Sequence, residues 1–209
     1  MSDEPAIENW TETTLADLIA DNGVFTDGDW VESKDQDPDG DVRLLQLADI
    51  GDGEYKNKSH RFMTHDKALE LRCTFLKPGD LLVARMPDPL GRSCIFSSDP
   101  RACVTVVDVC VIRTMSGISE RFLMHAINSA GFRQRISALQ SGSTRKRISR
   151  KNLAGIPFRI PSAVEQIAIV EKLESLFSEL DQGVELLTTI EKQLKRYRQA
   201  VLKAAFEGK

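Results

Sequence analysis

His60, His65 and His125 are the only imidazoles in a chain of 209 residues. None stands in an H-x-H or H-E-x-x-H spacing, so the sequence offers no pair of histidine metal ligands beside a general base. It also lacks the phosphate-cradling loop G-x-x-x-x-G-K-[ST] and the G-x-S-x-G turn that raises a nucleophilic serine. One arrangement does have a catalytic order. Pro38-Asp39 followed by Glu54-Tyr55-Lys56 matches the PD…ExK order of nucleases whose two carboxylates hold a magnesium ion beside a lysine. The pattern is loose, and Asp39 falls in the turn-rich stretch "KDQDPDGD" rather than on a strand. The plainer reading is a turn beginning at Asp39 and a basic loop opening at Lys56. The expectation is a chain with no catalytic residue and no metal site of its own.

The chemistry the sequence does offer is cationic. "SGSTRKRISRKN", residues 141–152, carries five basic residues among small hydroxyl groups and a glycine, with no acid. The formal net charge of −3 conceals this. Residues 1–54 hold 16 Asp and Glu against 2 Lys and Arg, whereas residues 55–160 hold 19 Lys and Arg against 7 acids. A basic middle of that kind is the electrostatic footprint of a polyanion partner. About half of such residues are ordinary solvated surface. Those in glycine-containing loops are better placed, because loop backbone approaches phosphate closely and Ser, Thr, Lys and Arg donate to its oxygens. On that ground the candidate DNA contacts are Lys56, Lys58 and Arg61 in one loop, and Arg85 and Arg92 flanking "MPDPLG". Ser143, Thr144, Arg145, Lys146 and Arg147 form the third group.

The elements that must hold these loops follow from patterning. "VRLLQLADI" (42–50) predicts a strand, and "TFLKPGDLLVARM" predicts a hairpin about a Pro-Gly-Asp turn. "SCIFSS" and "RACVTVVDVCVIRT" are rich in β-branched residues and predict further strands. Residues 119–130 turn helical, with Phe122, Leu123, Ala126 and Ile127 on one face, and "FRQRISALQ" predicts a second short helix after Gly131. The 141–152 stretch reads as a loop, and "IPFRIP" as an extended segment that closes the domain. Cys73, Cys94, Cys103 and Cys110 show no C-x-x-C spacing and lie in or beside apolar runs, so they read as reduced core thiols of a cytoplasmic protein. No apolar run of membrane-spanning length occurs, and the acidic N-terminus "MSDEPAIENW" does not read as a secretory signal.

After Pro161 the pattern changes. Ser162-Ala-Val-Glu165 is a capping box, and no proline follows before the stop signal at Gly208. Alternate steps of four and three from Ile169 reach Leu173, Leu176, Leu180, Gly183, Leu187, Ile190, Leu194, Tyr197 and Val201. Nine of those ten positions are apolar, which is a heptad seam along a rod of roughly 44 residues, about 66 Å. Such a seam needs a partner helix; the alternative is an amphipathic helix folded back on its own domain. Gly183 interrupts the seam and is a candidate bend, or a turn between two shorter helices.

Several of these stretches resemble the specificity subunit of type I restriction-modification enzymes. They are "DGDWVESKDQDPDGDVRLLQLADIGDGEY", "LKPGDLLVAR", "SGST…IS…NLAGIPFRIPSAVEQIAIVEKLESL" and "LKRYRQAVLKAAFEGK". The Pro-x-x-x-Glu-Gln start and the Ala-Phe-Glu-Gly-Lys end are the most specific, since they bracket that family's spacer helix. The resemblance runs from Trp10 to Lys209 and implies an α+β fold: a mixed-sheet target recognition domain over residues 1–161, then a spacer and dimerisation helix over 162–209. Family members usually carry two of each. The single set here means either a half-length subunit or a fragment of a longer one.

What the resemblance implies about function agrees with the charge pattern. The recognition domain would read a half-site in duplex DNA. The helix would set the distance to a second half-site and dock methyltransferase subunits, which use S-adenosylmethionine, while a separate restriction motor subunit uses ATP and magnesium. The family loop matches Gly142, Ser143 and Thr144; Arg145, Lys146 and Arg147 are additions of this chain. Pairing two chains through their helices would favour a symmetric, interrupted target. A helical adaptor with incidental DNA contact and a metal-dependent nuclease are the other two classes the sequence leaves open.

Overall fold

A computed structural model of the chain describes residues 10–19, 23–114 and 117–208. The first nine residues, read above as lacking a secretory signal, and the terminal Lys209 lie outside the described residues. The chain divides into two units, Met1–Ile167 and Ala168–Lys209.

The first unit is built from short strands. β2 (Val24–Asp27), β8 (Val109–Arg113), β5 (Leu81–Ala84) and β6 (Ser93–Ile95) form an antiparallel sheet in the order β2-β8-β5-β6. A second sheet, in the order β4-β3-β7, joins β4 (Phe62–Met63), β3 (Val42–Leu45) and β7 (Ala102–Thr105). Its β3 and β7 run parallel, so the fold is mixed as well as α+β. A third pair, β1 (Thr11–Thr14) with β9 (Pro157–Ile160), is antiparallel, and it makes "IPFRIP" extended as its prolines require.

Leu81, Leu82, Val83 and Ala84 are all buried, because β5 is central and covered on both faces. Leu82 and Ala84 pack with Leu45, Ile50, Phe96, Val109 and Val111. A neighbouring cluster gathers Val42, Leu44, Met63, Ala68 and Val104. The four cysteines are buried free thiols. Burial pushes each of them up to about 12.

Local details differ from the sequence reading. The 42–50 strand ends at Leu45, because Asp49 turns back to accept the Gln46 amide at 2.7 Å and winds Leu47–Asp49 into a 3-10 turn. "TFLK" is not a strand: Leu76 donates to the Cys103 carbonyl, and Asp80 accepts the Lys77 amide to make the turn, leaving β5 to pair with β6 and β8. Between the two apolar runs lies a helix the pattern did not predict, α1 (His65–Glu70), capped by Thr64. α2 (Glu120–Asn128) and α3 (Ala130–Ala138) follow, capped by Ser119 and Ser129. The last residues of the 141–152 stretch are helical rather than loop, since Ser149 caps α4 (Arg150–Ala154).

The long helix α5 (Ala163–Glu207) opens on the expected capping box. Ser162 Oγ accepts from the Glu165 amide, and Glu165 Oε2 accepts from the Ser162 amide at 3.1 Å. The adjacent Gln166 is buried and accepts the Ser119 amide at 2.9 Å while donating to the Pro161 carbonyl at 3.0 Å.

The second unit is the rest of α5. It continues through Gly183 without a break, so no turn separates two shorter helices there. The 45 residues of α5 as a whole, Ala163–Glu207, span about 68 Å, and Gly208 adopts a left-handed φ of 69° just past its end, as a C-terminal stop does. Ile169 and Leu173 are half-buried. From Leu176 onward the seam is open: Leu180, Leu187, Ile190, Leu194, Tyr197 and Val201 are all exposed. No helix among the described residues is long and apolar enough to cross a membrane.

Candidate nucleic-acid interface

The first basic loop hangs from a buried carboxylate. Asp49, with no exposure, accepts the amides of Lys58 and Ser59 at 2.6 and 2.7 Å and the Ser59 hydroxyl. Arg43, also buried, lies 3.5 Å from Asp49 and 2.8 Å from Asp99, and donates to the Ser59 carbonyl and the Asn57 side chain. Buried charges are tolerated only when paired and hydrogen-bonded in this way. The result fixes the main chain of residues 57–59 from below and leaves Lys56, Lys58 and Arg61 exposed above it. Arg61 is steadied by Gln36 at 3.2 Å.

The second loop is closed at its base. The amides and carbonyls of Ser141 and Arg147 pair in both directions at 2.8 and 2.9 Å. Gly142 takes φ 95°, and a Cβ there would collide with the Arg145 carbonyl oxygen. Glycine is therefore required for so tight a reversal. Ser143, Thr144, Arg145, Lys146 and Arg147 are exposed around it, and the next residue, Ile148, is fully buried.

Arg85 and Arg92 correct the sequence expectation. Both are buried, and their guanidinium groups are committed to main-chain carbonyls. Arg92 donates to Ile50 at 2.6 Å, Leu47 at 2.8 Å and Pro89 at 3.0 Å. Arg85 donates to Val107 at 2.6 Å and Ile148 at 3.3 Å, with Asp27 Oδ1 3.3 Å from its Nε. Neither side chain is exposed. Both stand at the exit of β5, where the Ala84 amide donates to the Arg92 carbonyl and Gly91 donates back to Ala84. Arg92 thus secures the 47–50 segment that carries Asp49, and Arg85 secures the foot of the 141–147 loop.

Sequence reasoning missed Arg43, Asp49 and Asp99. A lone aspartate inside the apolar run 42–50 was the available signal, because an isolated carboxylate there must be satisfied internally. The nuclease-like order does not assemble. Asp39 lies in a turn, its amide donating to Asp37 Oδ1, and Glu54 is exposed. Among the described residues no three His, Cys, Asp or Glu side chains are grouped to hold a metal ion.

The chain is thus a mixed-sheet domain with two exposed basic loops, followed by a long helix with an exposed apolar stripe. Residues 7–196 match the family described as Type I restriction modification DNA specificity domain, and the chain belongs to that family. It is 35% identical over 169 residues to the type I restriction enzyme EcoKI specificity subunit of Escherichia coli K12, covering 79% of this chain and 36% of that protein. It is 37% identical over 97 residues to the StySPI specificity subunit of Salmonella potsdam, covering 46% of this chain and 21% of that one. The HsdS subunit of Thermoanaerobacter tengcongensis shares its fold, with a TM-score of 0.69 at 19% identity over 98% of this chain and 46% of that chain. A chain of a structure concerned with assembly and conformational transition of the type I R-M system gives a TM-score of 0.71 at 20% identity, over 98% and 47%. The chain thus spans about half the length of these solved chains and about a third or less of the two curated relatives.

Proposed function

We propose that this chain is the non-catalytic DNA-reading component of a type I restriction-modification system and that it works as a homodimer in the cytoplasm. Residues 1–161 read one half-site in duplex DNA through the exposed loops at 56–61 and 141–147. Residues 162–209 pair with the same helix of a second copy, so that two identical domains face a bipartite, symmetric target. The assembled pair directs methyltransferase subunits, which bring S-adenosylmethionine, and a restriction motor subunit, which brings ATP and magnesium.

One observation carries the reading: in a chain that matches the specificity family over residues 7–196, six apolar seam side chains from Leu180 to Val201 are at least 40% exposed. Leaving such a stripe in water costs about 25 cal/mol for each Å² of apolar surface, and a partner helix removes that cost. A helix of about 68 Å also reaches past the roughly 34–36 Å that separates half-sites one helical turn apart.

Sedimentation equilibrium at micromolar concentration tests the pairing. The expected mass is twice 23.3 kDa, and Leu187→Asp together with Leu194→Asp is expected to return it to 23.3 kDa with the domain still folded. A wild-type chain that stays at 23.3 kDa, alone and with methyltransferase subunits present, contradicts the homodimer. Binding to duplex DNA that any competitor sequence abolishes equally would instead favour an adaptor whose DNA contact is incidental.

A further inference from the structure

We propose that Arg85 is a positioning residue for DNA reading: its buried guanidinium, at the exit of β5, fixes the foot of the exposed 141–147 loop and so sets where that loop meets the duplex. The inference rests on the reading of 141–147 as a DNA-contacting loop.

The exchange between Arg85 and Ile148 runs in both directions. The Ile148 amide donates to the Arg85 carbonyl at 3.1 Å, and Arg85 Nη1 donates to the Ile148 carbonyl at 3.3 Å. Nη2 donates to Val107 at 2.6 Å in the turn between β7 and β8, and Nε faces Asp27 at the end of β2. One planar group therefore ties the loop's foot to the β7–β8 turn and to the end of β2. Lysine cannot reproduce this, because an ammonium is a point donor without the guanidinium's fork. Ile148 is fully buried, so the loop leaves the domain from a fixed point, and the Ser141–Arg147 pair closes immediately beyond it. Five successive side chains, Ser143 to Arg147, then project from a base that cannot slide. Base reading needs contacts held to hydrogen-bond tolerance, whereas phosphate attraction alone does not.

The test uses the full chain as wild type, Arg85→Met and Arg85→Lys. Amide hydrogen exchange is followed at Ser141 and Arg147, with Lys58 and Ser59, which hang from Asp49, as internal controls. Each protein is also used to retain molecules from a pool of randomised duplexes, and the retained DNA is sequenced. Both variants are expected to speed exchange at Ser141 and Arg147 by about tenfold or more, with the controls unmoved. A block of the preferred bases is expected to fall to background in the retained pool. If Arg85→Met does not fold, Arg85→Lys decides, since it keeps a charge beside Asp27 while losing the fork.

Unchanged exchange at Ser141 and Arg147 overturns the proposal. Faster exchange with an unchanged set of preferred bases overturns it too. The triple variant Arg145→Ala, Lys146→Ala, Arg147→Ala separates the two readings. If it erases preferred bases that both Arg85 variants keep, the loop reads DNA and Arg85 does not position it. If it also leaves them intact, the loop's reading of bases is itself refuted.

Discussion

Arg43 and Asp49 lie 3.5 Å apart inside the domain, and the main chain of the Lys56–Arg61 loop is fastened to the pair. The loop's charges are solvent-facing, but its shape is decided by two buried charges. The same division holds at the exit of β5, where Arg85 is buried and Arg145 to Arg147 are exposed. In both places an interior ion holds irregular backbone that no sheet ladder covers.

Replacing Asp49 by alanine removes one of the two carboxylates that face Arg43, leaving Asp99, and strands the amides of Gln46, Lys58 and Ser59 at once. Breaking a buried pair from one side costs about 3–5 kcal/mol. The expected result is a loss of unfolding free energy of that size, read as a lower urea midpoint, with amide exchange quickening first at Lys58 and Ser59. A midpoint within experimental error of wild type would show that the pair does not hold the loop.

The triple change Arg145→Ala, Lys146→Ala, Arg147→Ala is expected to weaken duplex binding and flatten its salt dependence. The log–log slope falls by about 0.9 for each phosphate that is no longer neutralised. Because all three side chains are exposed, thermal stability should move little. An unaltered slope would assign the cluster to solvated surface.

Gly142→Ala tests loop shape without changing charge. Its φ of 95° and the close approach of the Arg145 carbonyl oppose any side chain, at about 1–3 kcal/mol of local strain. Opening of the Ser141–Arg147 pair, read by faster exchange of those two amides, is expected together with weaker DNA binding.

The four buried thiols make the protein sensitive to alkali. Burial raises each from an ordinary value near 9 to about 12. Below pH 9 both folded and unfolded chains keep the proton and the thiols have no effect. Above it the unfolded chain releases protons that the folded chain holds, so stability falls as pH rises, by up to about 1.4 kcal/mol per pH unit for each thiol. Urea midpoints between pH 8 and pH 11 should show this, with a shallower fall in Cys94→Val. Equal slopes for the two proteins would contradict the assignment.

The elements legible in the sequence were those set by near neighbours. The Ser162–Glu165 box, the stop at Gly208, the heptad stripe, the extended "IPFRIP" and the continuous apolar run of β5 each depend on residues a few positions apart. What patterning could not supply were partners far along the chain. Arg85 stands 63 residues from Ile148, and Arg92 stands 42 and 45 residues from Ile50 and Leu47, two of the carbonyls it holds. An arginine at the mouth of a loop has the same local signature whether it faces phosphate or turns inward to carbonyls. Asp49 shows the converse: inside the predicted strand, its local bond to the Gln46 amide ends the strand at Leu45, and its bonds to residues 58 and 59 give it a structural role that patterning does not reveal. Gly183 taught a smaller lesson, since one glycine in a helix costs only about 1 kcal/mol and does not by itself stop 45 residues of helix.

The most direct measurement is the pattern of modified bases in the genome of the cell that carries this chain, read with and without its gene. Two copies joined through α5 must present the same reading surface twice in opposite senses. A methylated motif of two inverted, identical half-sites separated by unread base pairs, vanishing when the gene is deleted, is the predicted result. A motif with two unlike halves, or one that persists after deletion, would contradict the symmetric pairing.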